Sequence, residues 1–396
     1  MPRRTTLPLR TLVPCLAAAA ILTAPGCAQD QADIHRSALH DFRVVTVADG
    51  LVNPWGMAFL PGGDMLVTER PGRLRIVRDG KLLPDPVPGL PAIRAAGQGG
   101  LLDVALHPEF AANRLVYFSY SKPSEDGTRG TTAVARGRFE SDRLTGVEDI
   151  FVAELWSEGR GHYGSRLAFD GKGYLFITLG DRQVPPTGNL EAHPAQDLSN
   201  HFGTTIRIHD DGRVPADNPF AGREGVLPQI WTYGHRNGQG LAVDPATGDV
   251  WYTEHGPQGG DELNLLQPGK NYGWPVVGYG VNYRTGSAIH EATMAEGMEN
   301  PVHVWIPSIA ASGLMVYTGD KFPGWRSSIF AGGLAGQQVV RLTMEGRRVM
   351  NQEQIFQRKG RVRDVRQGPD GYIYIAVEDS RGEPTPIVRL EPVARR

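Results

Sequence analysis

The chain has 396 residues, with Gly 50 and Pro 30 making up about a fifth of it, against an ordinary share of roughly 12%. Hydrophobic residues at 40% suffice for a large core, and 41 Lys+Arg against 43 Asp+Glu leave a formal charge of −2. These values exclude a disordered chain and a general nucleic-acid-binding coat. Glycine and proline recur at short intervals throughout, which excludes all-α folds and coiled coils and points to short strands joined by tight turns.

Residues 1–28 read as a secretory leader. Arg3, Arg4 and Arg10 form a basic start, and the apolar run 12–22 is too short to span a bilayer as a mature helix. Two ends are open to it: lipidation at Cys27, as in a bacterial lipoprotein, or cleavage after Ala28. Either predicts an exported, periplasmic protein whose membrane contact, if any, is a lipid on Cys27. Loss of the leader arginines shifts the charge from −2 to −5. Cys15 and Cys27 both lie in the leader, so the mature protein has neither a disulfide nor a thiol ligand.

Beyond the leader one pattern repeats: an apolar strand, a Pro/Asp/Gly turn, then a second strand rich in aromatic and β-branched residues. It occupies 56–69, 102–119, 166–178, 240–254, 313–332 and 363–376. Six such hairpins, spaced by roughly 45–75 residues, suit propeller blades carrying insertions. Each is expected in the middle of its sheet. Radial stacking buries both faces of every sheet and leaves short edges. The prediction is an all-β chain, a single six-bladed β-propeller over 40–394 with four-stranded antiparallel blades around a central channel. A pair of β-sandwiches is the alternative arrangement of the same strands. The polar stretch 281–301 reads as an inserted loop of the kind that covers a binding face.

Polar residues just before or after the repeated strands are the candidates for chemistry. Gln98 lies in a Gly-rich run before the second hairpin, and His162 in another before the third. Asp181 ends the third hairpin, and adjacent antiparallel strands would bring its carboxylate to His162. Such a pair is a minimal general base, or equally a structural turn contact. Arg236 and Asn237 stand between glycines at the start of the fourth hairpin, suited to an anionic or carbonyl-bearing ligand or to a salt bridge between blades. After that hairpin, Asp261, Glu262, Asn264 and turn carbonyls offer hard oxygen ligands of the type Ca²⁺ accepts, in a loop that is not an EF-hand. Arg361 and Arg363 alternate onto one face before the sixth hairpin, which fits either a polyanion or a solvated face.

In this order, several motifs resemble one family. They are Asn-Pro-Trp-Gly at 53–56, Gly-Gln-Gly-Gly-Leu-Leu-Asp at 97–103, Gly-His-Tyr-Gly at 161–164, Tyr-Gly-His-Arg-Asn at 233–237, Glu-His-Gly-Pro at 254–257, Gly-Asp-Glu-Leu-Asn at 260–264, Asn-Tyr-Gly-Trp at 271–274 and Arg-Val-Arg-Asp at 361–364. From about Phe42 to Leu390 the chain is similar to the soluble aldose sugar dehydrogenases that depend on pyrroloquinoline quinone (PQQ), in the glucose/sorbosone dehydrogenase family. The resemblance implies oxidation of an aldose at C1 to the lactone, with electrons passed to an external acceptor. It implies His162 as proton acceptor oriented by Asp181, and Arg236 as stabiliser of developing charge. Gln98, Arg236, Asn237, Ser308, Arg361 and Arg363 would hold the quinone, whose three carboxylates suit the arginines. Carbonyls of Gly256 and Pro257 would bind one Ca²⁺, and Glu262 with the Tyr272 carbonyl a second. Ala335 stands where some relatives carry a quinone-contacting lysine, and Gly161 where some carry an acid. Two other readings are a calcium-dependent lactonase or esterase and a non-catalytic carbohydrate-binding propeller. The preferred aldose is not legible, and the assembly is open between monomer and dimer.

Overall fold

A computed structural model of the chain describes residues 34–394; the expected leader, with Cys15 and Cys27, lies outside the described residues. The hairpin at 166–178 shows how the local sequence acts. Strands Leu167–Phe169 and Tyr174–Thr178 are joined at Asp170, whose Oδ1 accepts the N–H groups of Lys172 and Tyr174 at 2.7 and 3.1 Å. Gly171 follows with φ of +72°, which a side chain would oppose. The same carboxylate-to-backbone turn recurs at Asp244 and Asp370.

Six sheets result. The first five blades begin with Pro54–Phe59, Leu101–Leu106, Leu167–Phe169, Gly238–Val243 and Ala311–Val316, and each runs outward through four strands in chain order. The sixth begins with Arg361–Gln367 and Ile373–Glu378 and continues through Pro384–Val393. It is completed by the N-terminal strand Asp41–Val52, with Ile34–His35 at its edge. Pairing from Asp41 opposite Val393 to Val52 opposite Pro384 closes the ring with the two chain ends. The six innermost strands contact one another in a closed circle, first to second and onward to sixth and first. This is the six-bladed propeller that the repeats predict. The hairpins, expected mid-sheet, are instead the two strands nearest the axis, because the third and fourth strands are both added on the outside.

Core packing follows from the layout. Ile373–Glu378 is buried at all six positions, since neighbouring blades cover both faces of each sheet. Apolar clusters fill the wedges between blades; Phe42, Phe322, Trp325, Phe330 and Phe356 pack together between the fifth and sixth. Residues at the N-terminal ends of the inner strands and just past the second strands therefore share one mouth of the channel.

Candidate active site

At that mouth lies a cavity of about 220 Å³. Trp55, Gln98, Leu102, Tyr163, Asn237 and Ala310 line it from loops that lead into inner strands or from their first residues, and Arg70, His255, Leu334 and Glu378 from the ends of second strands. Every blade contributes, so the wall exists only when the ring is closed.

His162 stands beside this wall, between Gly161 and the cavity-lining Tyr163. Its Nδ1 lies 2.6 Å from Asp181 Oδ1, and Asp181 Oδ2 accepts Trp274 Nε1–H at 2.8 Å. With Nδ1–H given to the carboxylate, Nε2 is the nitrogen left to take a proton. Burial pulls the His162 pKa below the usual histidine value; Asp181 opposes this, and the charges of Arg236 and Arg182 reinforce it. The ring is therefore neutral near pH 7. Burial also pushes Asp181 upward, but His162 and Arg236 outweigh it and hold the carboxyl below its usual range.

The backbone presenting this imidazole is constrained. His162 has φ of +48°, a conformation L side chains resist at a cost of roughly 1–3 kcal/mol. It is held there because Gln98 Oε1 accepts the His162 N–H at 2.8 Å and Arg182 donates to the carbonyls of Gly161 and Gly159 while stacking over the Tyr163 ring. A Cβ on Gly180 would sit 2.3 Å from the His162 carbonyl oxygen. Gly180→Ala is thus expected to displace the imidazole and lower kcat/KM by about 10²-fold, with a fall in melting temperature of a few degrees, as steady-state assays and calorimetry would read. The departure at Gly161 also has a local reason: the Gln183 amide occupies the space a Cβ there would need, at 2.2 Å.

Across the cavity, Arg363 donates from Nε and Nη2 to both oxygens of Glu378, at 3.0 and 3.1 Å, and Arg361 Nε reaches Glu378 at 3.0 Å. Arg363 Nη1 also donates to Gln239 Oε1 at 2.9 Å. The two arginines share one face, as their spacing predicts, and Asn237 is buried beside them with its Oδ1 accepting from Gly164 N–H at 3.2 Å.

Gly256, Pro257, Glu262 and Tyr272 border a second, smaller cavity of about 20 Å³, room for one ion or water. Arg236, expected among the quinone contacts, lines this smaller cavity and not the large one, donating from Nη1 to the Gly256 carbonyl at 2.8 Å with its guanidinium 5.2 Å from the Trp274 ring. Glu254 and Glu262 meet there, bridged by Asn264 Nδ2 at 3.1 Å to each. Burial, with Glu254 adding to it, pushes Glu262 up to about 8. Asn264 Oδ1 is buried without a hydrogen-bond partner. Ser308 lies apart from the large cavity, with its hydroxyl 3.5 Å from the Pro257 carbonyl oxygen. Ser308 thus borders neither cavity and is not grouped with the arginines.

Below the mouth, the channel is filled by charge. Arg166, fully enclosed, lies 2.9 Å from Asp364 and 3.4 Å from Asp103, and Arg366 pairs with the same two carboxylates at 2.9 and 2.8 Å. Trp55 caps this cluster with its ring 4.1 Å from the Arg166 guanidinium.

Residues 51–389 match the family described as glucose/sorbosone dehydrogenase. The chain belongs to that family. It is 44% identical over 346 residues to the aldose sugar dehydrogenase YliI of Escherichia coli (strain K12), covering 86% of this chain and 91% of that one. The solved apo-form of the soluble aldose sugar dehydrogenase from Escherichia coli is similar at a TM-score of 0.82 and 40% identity, covering 89% and 100% of the two chains. The PQQ-bound aldose sugar dehydrogenase of Streptomyces coelicolor is similar at 0.72 and 28% identity, covering 89% and 98%.

In this glucose/sorbosone dehydrogenase family member, several residues of the site escaped the sequence reading. Glu69, Glu254 and Glu378 each end the second strand of a blade, and each is buried holding a cation or a histidine. That recurring terminal acid was a usable signal. Trp274 and Gln239 carried none, because their partners Asp181 and Arg363 come from other blades.

Proposed function

We propose that this protein oxidises the C1 hydroxyl of an aldose to the lactone with bound PQQ and Ca²⁺. The observation that carries the reading is His162, held by the Asp181 carboxylate and flanked by Tyr163 of the wall, next to a cavity lined by Arg361 and Arg363. Family membership and the named relatives support it. The quinone is a flat tricarboxylate, and the residues present fit such a group: Arg361, Arg363, Gln98 and Asn237 would hold it, with Arg236 at its calcium-facing end. When bound, it supplies the two-electron acceptor for the hydride leaving C1. The small cavity fits a hard cation through Glu254, Glu262 and the backbone of Gly256, Pro257 and Tyr272, so the residues the resemblance divides between two Ca²⁺ ions border one space with room for a single ion.

The chain's own part is proton management. His162 Nε2 accepts the proton of the anomeric hydroxyl as C–H cleavage begins. Asp181 keeps the required tautomer and balances the imidazolium charge that forms. Trp274 fixes the far oxygen of Asp181, so the carboxylate cannot rotate away. An external acceptor would take the electrons onward, and the leader reading supports a periplasmic setting.

A proton acceptor works deprotonated, so kcat/KM falls as pH drops through the His162 pKa. Because that value is depressed, the acid limb is expected below pH 6.5. Asp181→Asn removes the charge that opposes burial, so the limb should move lower still while the plateau rate falls. A limb at or above 6.5 in the unaltered enzyme would contradict the assignment of the base.

A further inference from the structure

Arg70 follows the second strand of the first blade and lines the large cavity together with Arg361 and Arg363. Its backbone is pinned on both sides: Arg70 N–H donates to the Asn53 carbonyl at 3.0 Å, and its carbonyl accepts Leu101 N–H at 3.2 Å. The guanidinium donates to the Gly97 carbonyl and, at 3.2 Å, to Asn53 Oδ1. Glu378 is taken up by Arg361 and Arg363. Among the described residues no carboxylate lies within ion-pairing distance of Arg70. Burial and the like charges of Arg363 and Arg361 lower its pKa, with Glu378 only partly offsetting them.

The cavity wall thus carries three guanidiniums, Arg70, Arg361 and Arg363, against the one carboxylate of Glu378. Like charges gathered on a concave surface attract and hold an anion. The fifth blade, meanwhile, offers no cation: Leu334 lines the cavity and Ala335 is an exposed turn residue.

We infer that Arg70 is a third guanidinium of the cofactor cavity, binding a carboxylate of the quinone and supplying from the first blade a cation that the fifth does not. The inference rests on the quinone reading above. Arg70 also straps the Gly97 loop that carries Gln98, so the test must separate charge from strapping. Calorimetric titration of quinone-free full-length protein with PQQ and with its uncharged trimethyl ester does so, using Arg70→Gln and Arg70→Lys. Arg70→Gln is expected to raise the Kd for PQQ about tenfold and leave the Kd for the ester unchanged, with Arg70→Lys restoring most of the affinity. The Kd values of wild type and Arg70→Gln for PQQ should also converge as sodium chloride is raised. Equal loss towards acid and ester, with no convergence in salt, would show a strap alone and overturn the inference, as would an unchanged Kd for PQQ. Absence of PQQ binding by the unaltered protein is a different result, which overturns the quinone reading itself and this inference with it.

Discussion

Replacing His162 with alanine is expected to lower kcat for aldose oxidation by about 10²–10⁴-fold, the usual worth of a positioned general base. Quinone affinity should be nearly unaffected, because Arg361, Arg363 and Asn237 do not depend on the imidazole, and Gln98 binds the His162 backbone, which the variant keeps. No neighbour can take over the proton. His255, the histidine on the cavity wall, is pulled down to about 3 by burial and by the charge of Arg236, and its Nε2 is buried without a partner. Added imidazole should restore part of the lost rate by filling the vacated space, and restoration should rise with pH as imidazole deprotonates. Steady-state kinetics alongside quinone titration would check this. A variant that retains most of its kcat would remove His162 from the chemistry.

The second large effect concerns stability. Arg166 is 1% exposed and its charge is balanced by Asp103 and Asp364, which are enclosed with it. It also ties blades together, donating to the Gln239 carbonyl at 2.7 Å and the Arg363 carbonyl at 2.8 Å. Arg166→Met leaves two buried carboxylates facing Arg366 alone. Breaking a buried charge set in this way costs about 3–5 kcal/mol, a fall in melting temperature on the order of 10 °C. Uncompensated charge, not lost volume, is the cause, so Arg166→Met combined with Asp364→Asn should recover much of the loss by leaving Arg366 paired with Asp103. Additive losses in the double variant, measured by thermal and denaturant unfolding, would assign the effect to packing instead.

These two residues also mark how far the sequence could be read. The hairpins were legible because each carries its own information: alternating apolar positions and a turn such as Asp170-Gly171, which needs no distant partner. His162 and Asp181 could be brought together for the same reason, since both flank one hairpin. Arg166 looked like the mere start of a strand. Its partners Asp103 and Asp364 lie in the second and sixth blades, and only closure of the ring brings them to the axis. The place of Arg70 beside Arg361 and Arg363 was hidden by the same long-range closure, whereas Glu378 faces Arg361 across the sixth hairpin and could have been read locally. Ser308 was offered as a quinone contact by the resemblance and by no pattern in the chain; the segment after His303–Trp305 carries its hydroxyl to 3.5 Å from the Pro257 carbonyl oxygen. The hairpins were expected mid-sheet because an isolated pair does not reveal on which side its later strands are added.

Aldose-dependent dye reduction on purified protein, with and without added PQQ and Ca²⁺ and with His162→Ala beside it, decides whether the protein is a quinone-dependent aldose dehydrogenase. Reduction that requires both additions and is lost in the variant is the expected result. Aldose oxidation that proceeds equally without quinone, or failure of the protein to bind quinone in the presence of Ca²⁺, would contradict it.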